Sequence, residues 1–78
     1  MTYQVEFDIP HTTSQELVNE FATGHGCVAT LVQLNGPAGG NPLYHFSSDK
    51  FSYLEELIGQ VLGYNPDEEA LKTMVWEV

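Results

Sequence analysis

The chain has 78 residues, eleven of them acidic and two basic (Lys50 and Lys72), for a formal charge of −9 at pH 7. That field repels nucleic-acid phosphates and anionic membranes, and it favours encounter with basic surfaces. At 42% hydrophobic and 12% aromatic the chain is too apolar for a disordered one, and its length suits one domain in which folding buries about 60% of the surface the unfolded chain exposes.

The first segment alternates. Tyr3, Val5, Phe7 and Ile9 fall on one side, with Gln4, Glu6 and Asp8 on the other, as in a strand with one buried and one wet face. Pro10 ends it. Thr13-Ser14-Gln15-Glu16 has capping-box spacing, and Leu17, Val18 and Phe21 follow as an apolar stripe. A helix is predicted over about 14–23, with Gly24 as its left-handed stop. Val28 to Leu34 is rich in β-branched residues with apolar groups on both faces, which predicts a second strand better covered than the first.

Asn35-Gly36-Pro37-Ala38-Gly39-Gly40-Asn41-Pro42 is turn chemistry, and Leu43 to Phe46 is a short third strand. Ser48 or Asp49 is placed to cap a second helix with the stripe Phe51, Leu54, Leu57, Ile58, Val61 and Leu62, closed by Gly63. Asn65 to Glu69 resembles a capped single turn with Pro66 at the first helical position, and Lys72 to Val78 is the last candidate strand. The order βαββαβ is that of the ferredoxin-like α+β fold: a four-stranded antiparallel sheet with two helices on one face, here as a single domain over residues 1–78.

No catalytic signature is present. His25 and Cys27 stand close together, and His11 and His45 lie elsewhere. A zinc site needs about four nitrogen or sulfur ligands, usually in paired motifs, so no metal or cofactor is expected. The negative field raises rather than lowers a thiol pKa, which disfavours Cys27 as a nucleophile. The glycine-rich tract lacks the lysine and following helix of a phosphate loop. With no arginine in the chain and Gln4, Glu6 and Asp8 on the open face, the basic, aromatic surface of an RNA-binding sheet is missing. The single cysteine fits a reducing compartment. The amino terminus has neither the basic start nor the apolar run of a signal peptide, and no stretch reaches the roughly 20 apolar residues of a membrane span. A cytoplasmic, non-membrane protein is expected.

The tract Leu34 to Pro42, followed by a short strand and a Leu/Glu-rich helix, resembles small phage-type accessory proteins. In being small, acidic, compact and free of motifs, the chain is similar in style to phage proteins that disable host factors, including anti-CRISPR proteins and nucleic-acid mimics. The resemblance implies a protein target and transfers no functional residue.

The reading is a non-enzymatic interaction protein that binds a protein with a basic surface. Glu6, Asp8 and Glu77 are expected together on the open sheet face, with Thr73 and Val75 beside Glu77 and with Met74 and Trp76 turned inward. Glu55 and Glu56 on helix two are the second cluster, and Gly39, Gly40 and the Trp76 region are further contact candidates. The alternative is a small-ligand or regulatory domain using the glycine-rich hairpin tip, and a small enzyme using His25, Cys27 or His45 comes third. A homodimer is favoured over a monomer, through an apolar patch of Ala29, Leu31 and Val75 on the open face or through edge strands.

Overall fold

The computed structural model describes residues 1–35 and 39–78. In chain order the elements are β1 (Tyr3–Asp8), α1 (Gln15–Gly24), β2 (Val28–Gln33), β3 (Leu43–Ser48) and α2 (Phe51–Glu56), which runs on into a π-helical segment (Leu57–Val61). Helix α3 (Glu68–Met74) and β4 (Trp76–Glu77) complete the chain. The sheet has four antiparallel strands in the order β2-β3-β1-β4. This is the ferredoxin-like arrangement that the βαββαβ pattern predicts.

Alternation in the two central strands sorts their side chains. Val5 faces the helices from β1, and Tyr44, Phe46 and Ser48 do so from β3, all buried. Leu54, Leu57 and Ile58 of the second helical stretch meet them, fully buried, and Val18 and Ala22 close the core from α1. Phe46 stacks on Phe21 and on Tyr44, each with ring centroids 6.0 Å apart. The stripe read from Phe51 to Leu62 is therefore the core side of that helix, although its second half widens to i−5 bonding, with Leu62 N–H donating to the Leu57 carbonyl at 3.1 Å. Gly63, at φ +68°, makes the left-handed turn expected of it.

Other expectations need correction. The N-cap of α1 is Ser14, whose Oγ accepts from Leu17 N–H at 3.1 Å. Leu17 therefore occupies the third helical position, where a capping box places its acid, and it is exposed. Gly24 is still helical, and the left-handed residue is Gly26, at φ +72°. Cys27 N–H donates to the Ala22 carbonyl at 2.8 Å and Gly26 N–H to the Thr23 carbonyl at 3.1 Å. That pair of bonds is the Schellman motif, and Cys27 and Ala22, both buried, provide its apolar contact. Gly26 is also sterically required, because a Cβ there would lie 2.6 Å from the ring of Tyr53.

Helix α2 starts after Lys50 rather than being capped by Ser48 or Asp49. Buried Ser48 instead donates to the Gly26 carbonyl at 3.0 Å and accepts from Lys50 N–H at 3.2 Å, tying β3 to the end of α1. Strand β2 is more exposed than β1, not better covered, because it is the sheet edge. The single turn predicted near Pro66 is the two-turn helix α3, capped by Asp67, whose Oδ1 accepts from Ala70 N–H at 2.8 Å. Pro66 precedes that cap. Leu71 and Val75, four residues apart and both buried, form the helical stripe that outcompetes the strand reading of 72–75, leaving β4 only two residues. Gly36, Pro37 and Ala38 of the hairpin tip lie outside the described residues.

Candidate interaction surface

Among the described residues no helix covers the second face of the sheet. Residues directly opposite in an antiparallel pair share a face, so the register assembles that surface from Gln4, Glu6 and Asp8 of β1. Their partners Ser47, His45 and Leu43 on β3 join them, with Val28 and Thr30 from β2. From β4 it takes Trp76, which is opposite Gln4.

The centre of this face is a hydrogen-bonded group. His45 Nε2 lies 2.9 Å from Glu6 Oε1, and His45 Nδ1 lies 2.7 Å from Gln4 Nε2. The Gln4 amide nitrogen donates, so Nδ1 accepts and Nε2–H donates to the Glu6 carboxylate. Trp76 stands against the imidazole in an edge-to-face contact, centroids 5.4 Å apart at 82°, and is 39% exposed. The Glu6–His45 hydrogen bond is partly open to water, and a contact so placed contributes at most about 1 kcal/mol. Its structural effect is to hold three polar side chains in a defined arrangement beside an indole.

Glu6 and Asp8 share the open face, as expected. Glu77 does not join them. It is opposite Tyr3, whose ring meets Phe51 of α2 at 5.7 Å on the helix side of the sheet. The phase of β4 is thus inverted relative to the sequence reading: Val75 is buried, Trp76 faces outward and Glu77 lies at the helix-side edge. The cause is α3, which runs to Met74 and delivers Val75 into the core, so the next residue must turn the other way.

The predicted apolar patch on the open face is also absent. Ala29 is opposite Phe46 and Leu31 opposite Tyr44, both on the helix side, and Val75 is buried. Exposed apolar side chains do line the β2 edge at Val28, Val32 and Leu34, with Val28 sharing the open face. A bulge separates Leu31 from Gln33 in the β2–β3 register.

Glu55 and Glu56 are exposed on α2, away from the open face, and Glu56 borders a shallow depression with His25, Gly26 and Tyr53. Gly39 and Gly40, at φ +69° and +84°, are exposed at the hairpin tip, where they border a cavity of about 560 Å³ beside the start of α1. Neither group contacts the Trp76 cluster. Cys27 is buried, its Sγ is 3.5 Å from the His25 carbonyl, and burial pushes the thiol up to about 11. Among the described residues no group of three or more His, Cys, Asp and Glu side chains is arranged to hold a metal ion. No helix among them is long and apolar enough to cross a membrane.

Gln4 stands on the open face as the alternation of β1 predicts, but neither Gln4 nor His45 is among the contact residues expected from the sequence. The alternation Tyr44-His45-Phe46 carried the signal for His45, because two aromatic residues flanking a histidine in a strand place it on the opposite, wet face. Comparison with family models, curated proteins and solved structures finds no match.

Proposed function

We propose that this protein is a non-enzymatic interaction domain whose open sheet face docks on a basic protein surface. The observation that carries the reading is the position of Trp76. A partly exposed indole stands on the acid-bearing face, beside Glu6 and the Gln4–His45 group. Tryptophan is enriched among the residues that dominate interface energy, and carboxylates around it recruit arginine and lysine. The charge of −9 supplies steering over distances of about one Debye length, ~8 Å at physiological salt.

An arginine-rich peptide is a suitable probe, followed through backbone amides and the Trp76 indole N–H. Saturable shifts centred on Gln4, Glu6, His45 and Trp76, abolished by combined Glu6→Lys and Asp8→Lys, support the reading. Shifts spread evenly over Glu16, Glu55, Glu56, Glu68 and Glu69 reject it, since they report only diffuse attraction. Affinity of the double variant equal to wild type at both low and physiological salt also rejects it.

A second reading concerns self-association. The edge strand β2 has no charged residue between Val28 and Gln33, and Val28 and Val32 are 63% and 48% exposed. An uncharged edge is a pairing template for a second copy. Val32→Lys converting a dimer to a monomer in sedimentation equilibrium supports it, and a wild-type monomer at high micromolar concentration rejects it.

A further inference from the structure

The group beside Trp76 offers more than charge. Trp76 on β4 is opposite Gln4 and His45 on β3 is opposite Glu6, so the two rings start from strands on either side of β1. Strands two steps apart in a sheet lie about 10 Å from each other, yet the ring centroids are 5.4 Å apart. The rings therefore lean together over β1, with the Gln4 amide and the Glu6 carboxylate beside them.

One imidazole fixes both polar groups. His45 Nε2–H donates to Glu6 Oε1 at 2.9 Å, and Gln4 Nε2 donates to His45 Nδ1 at 2.7 Å. Each partner keeps a second oxygen, and neither Glu6 Oε2 nor Gln4 Oε1 has a hydrogen-bond partner among the described residues. The Glu6 side chain is 49% exposed. Gln4 Oε1 is open to solvent as well, because the Tyr44 hydroxyl alone is both buried and unpartnered among the described side chains. The chain's own cations do not fill the site. Lys72 is held by Glu68 at 3.4 Å, and neither Lys72 nor Lys50 pairs with Glu6 among the described residues.

We propose that this group is an arginine-selective clamp: a guanidinium from a basic partner protein donates to Glu6 Oε2 and Gln4 Oε1 while its plane packs on the exposed part of the Trp76 indole. The inference rests on the open face being the docking surface, and it names the cation which that face takes. Two acceptors on separate side chains suit a guanidinium, whose five N–H donors are spread round a rigid plane. An ammonium gathers its three donors on one nitrogen. The indole likewise favours a flat, weakly hydrated cation over a compact, strongly hydrated one. His45 acts through its neighbours as a positioning residue. It orders Glu6 and Gln4 before the ligand arrives, which lowers the ordering cost of binding. Asp8 lies on the same face two residues further along β1 and attracts either cation without choosing between them.

The test uses two peptides equal in length and charge, one carrying arginine and the other lysine at the same positions. Each is titrated into the whole chain at constant ionic strength and followed through backbone amides and the indole N–H. Both should shift Gln4, Glu6, His45 and Trp76, with the arginine peptide about tenfold tighter. His45→Ala leaves the formal charge at −9 and should cut that ratio to about threefold or less, by weakening the arginine peptide alone. Gln4→Ala should do the same through loss of one acceptor. Asp8→Asn should weaken both peptides equally and keep the ratio. Equal affinities of the two peptides for this face overturn the clamp and leave the docking surface standing. A ratio unchanged in His45→Ala overturns the positioning role. No shift at this face with either peptide overturns the clamp and the docking surface together.

Discussion

The two faces of the sheet are built from the same strands and serve opposite ends. On the helix side, Val5, Tyr44 and Phe46 are removed from water and meet Leu54, Leu57 and Ile58. On the open side, one residue away along each strand, His45 bonds to both Gln4 and Glu6 beside an exposed indole. The first face carries stability through area, at roughly 25 cal/mol per Å² of apolar surface buried. The second contributes little stability and presents a fixed arrangement of charge and aromatic surface. A substitution should therefore be costly on one face and nearly silent in folding on the other, even where the two positions are adjacent in sequence.

The sharpest way to break this contrast is Phe46→Ala against His45→Ala. The first should cost about 3–5 kcal/mol and Leu54→Ala about 2–5 kcal/mol, read from denaturant midpoints. The second should cost less than about 1 kcal/mol, since it removes only partly wet hydrogen bonds. Comparable losses at positions 45 and 46 would mean the open face is structural.

Gly26→Ala should fall in between. The left-handed backbone alone penalises a side chain by about 1–2 kcal/mol, and the new Cβ would also push on Tyr53. Gly39→Ala has a similar φ and open space around it, so it should cost less. Equal effects would show that the Tyr53 contact yields without cost.

A pH titration sharpens the buried side. The Cys27 thiol is pushed from its ordinary value of 9.0 up to about 11 by burial. A group whose folded pKa is raised holds its stabilising contribution below the unfolded pKa and loses it as pH climbs to the folded one. Urea midpoints should accordingly show no Cys27 contribution to pH dependence up to about pH 8.5, then fall between about pH 9 and pH 11, with part of that slope missing in Cys27→Ala. Alkylation of the native protein at pH 8 should be far slower than that of the unfolded chain.

The smallest effect on folding belongs to the open face. Glu6→Lys with Asp8→Lys should shift stability by no more than about 0.5 kcal/mol per site, as is usual for exposed positions. Their effect should appear only in binding, through association rate and salt dependence.

Much of this is legible in the sequence. The alternation from Tyr3 to Ile9 placed Glu6 and Asp8 correctly, because period 2 assigns faces whatever the neighbouring strand. The stripe from Phe51 to Leu62 identified the core helix, because its period persists over three turns. Trp76 and Glu77 were misplaced for a related reason. A two-residue strand has no period to read, so its phase is inherited from whatever precedes it. Residues 72–75 combine β-branched character with the helical spacing of Leu71 and Val75, and burial of both resolved the conflict in favour of helix.

The sequence by itself determined the element order, the fold class, the acid-bearing face of β1 and the net charge, since each follows from local periodicity or from composition. Only the tertiary structure decided that β2 is an edge, that His45 and Trp76 converge across β1, and that the Tyr44 hydroxyl is buried. Those facts depend on which strand lies next to which and in what register. They arise from contacts between residues some forty to seventy positions apart in the chain, as Glu6–His45 and Gln4–Trp76 are, and no window along the sequence contains them.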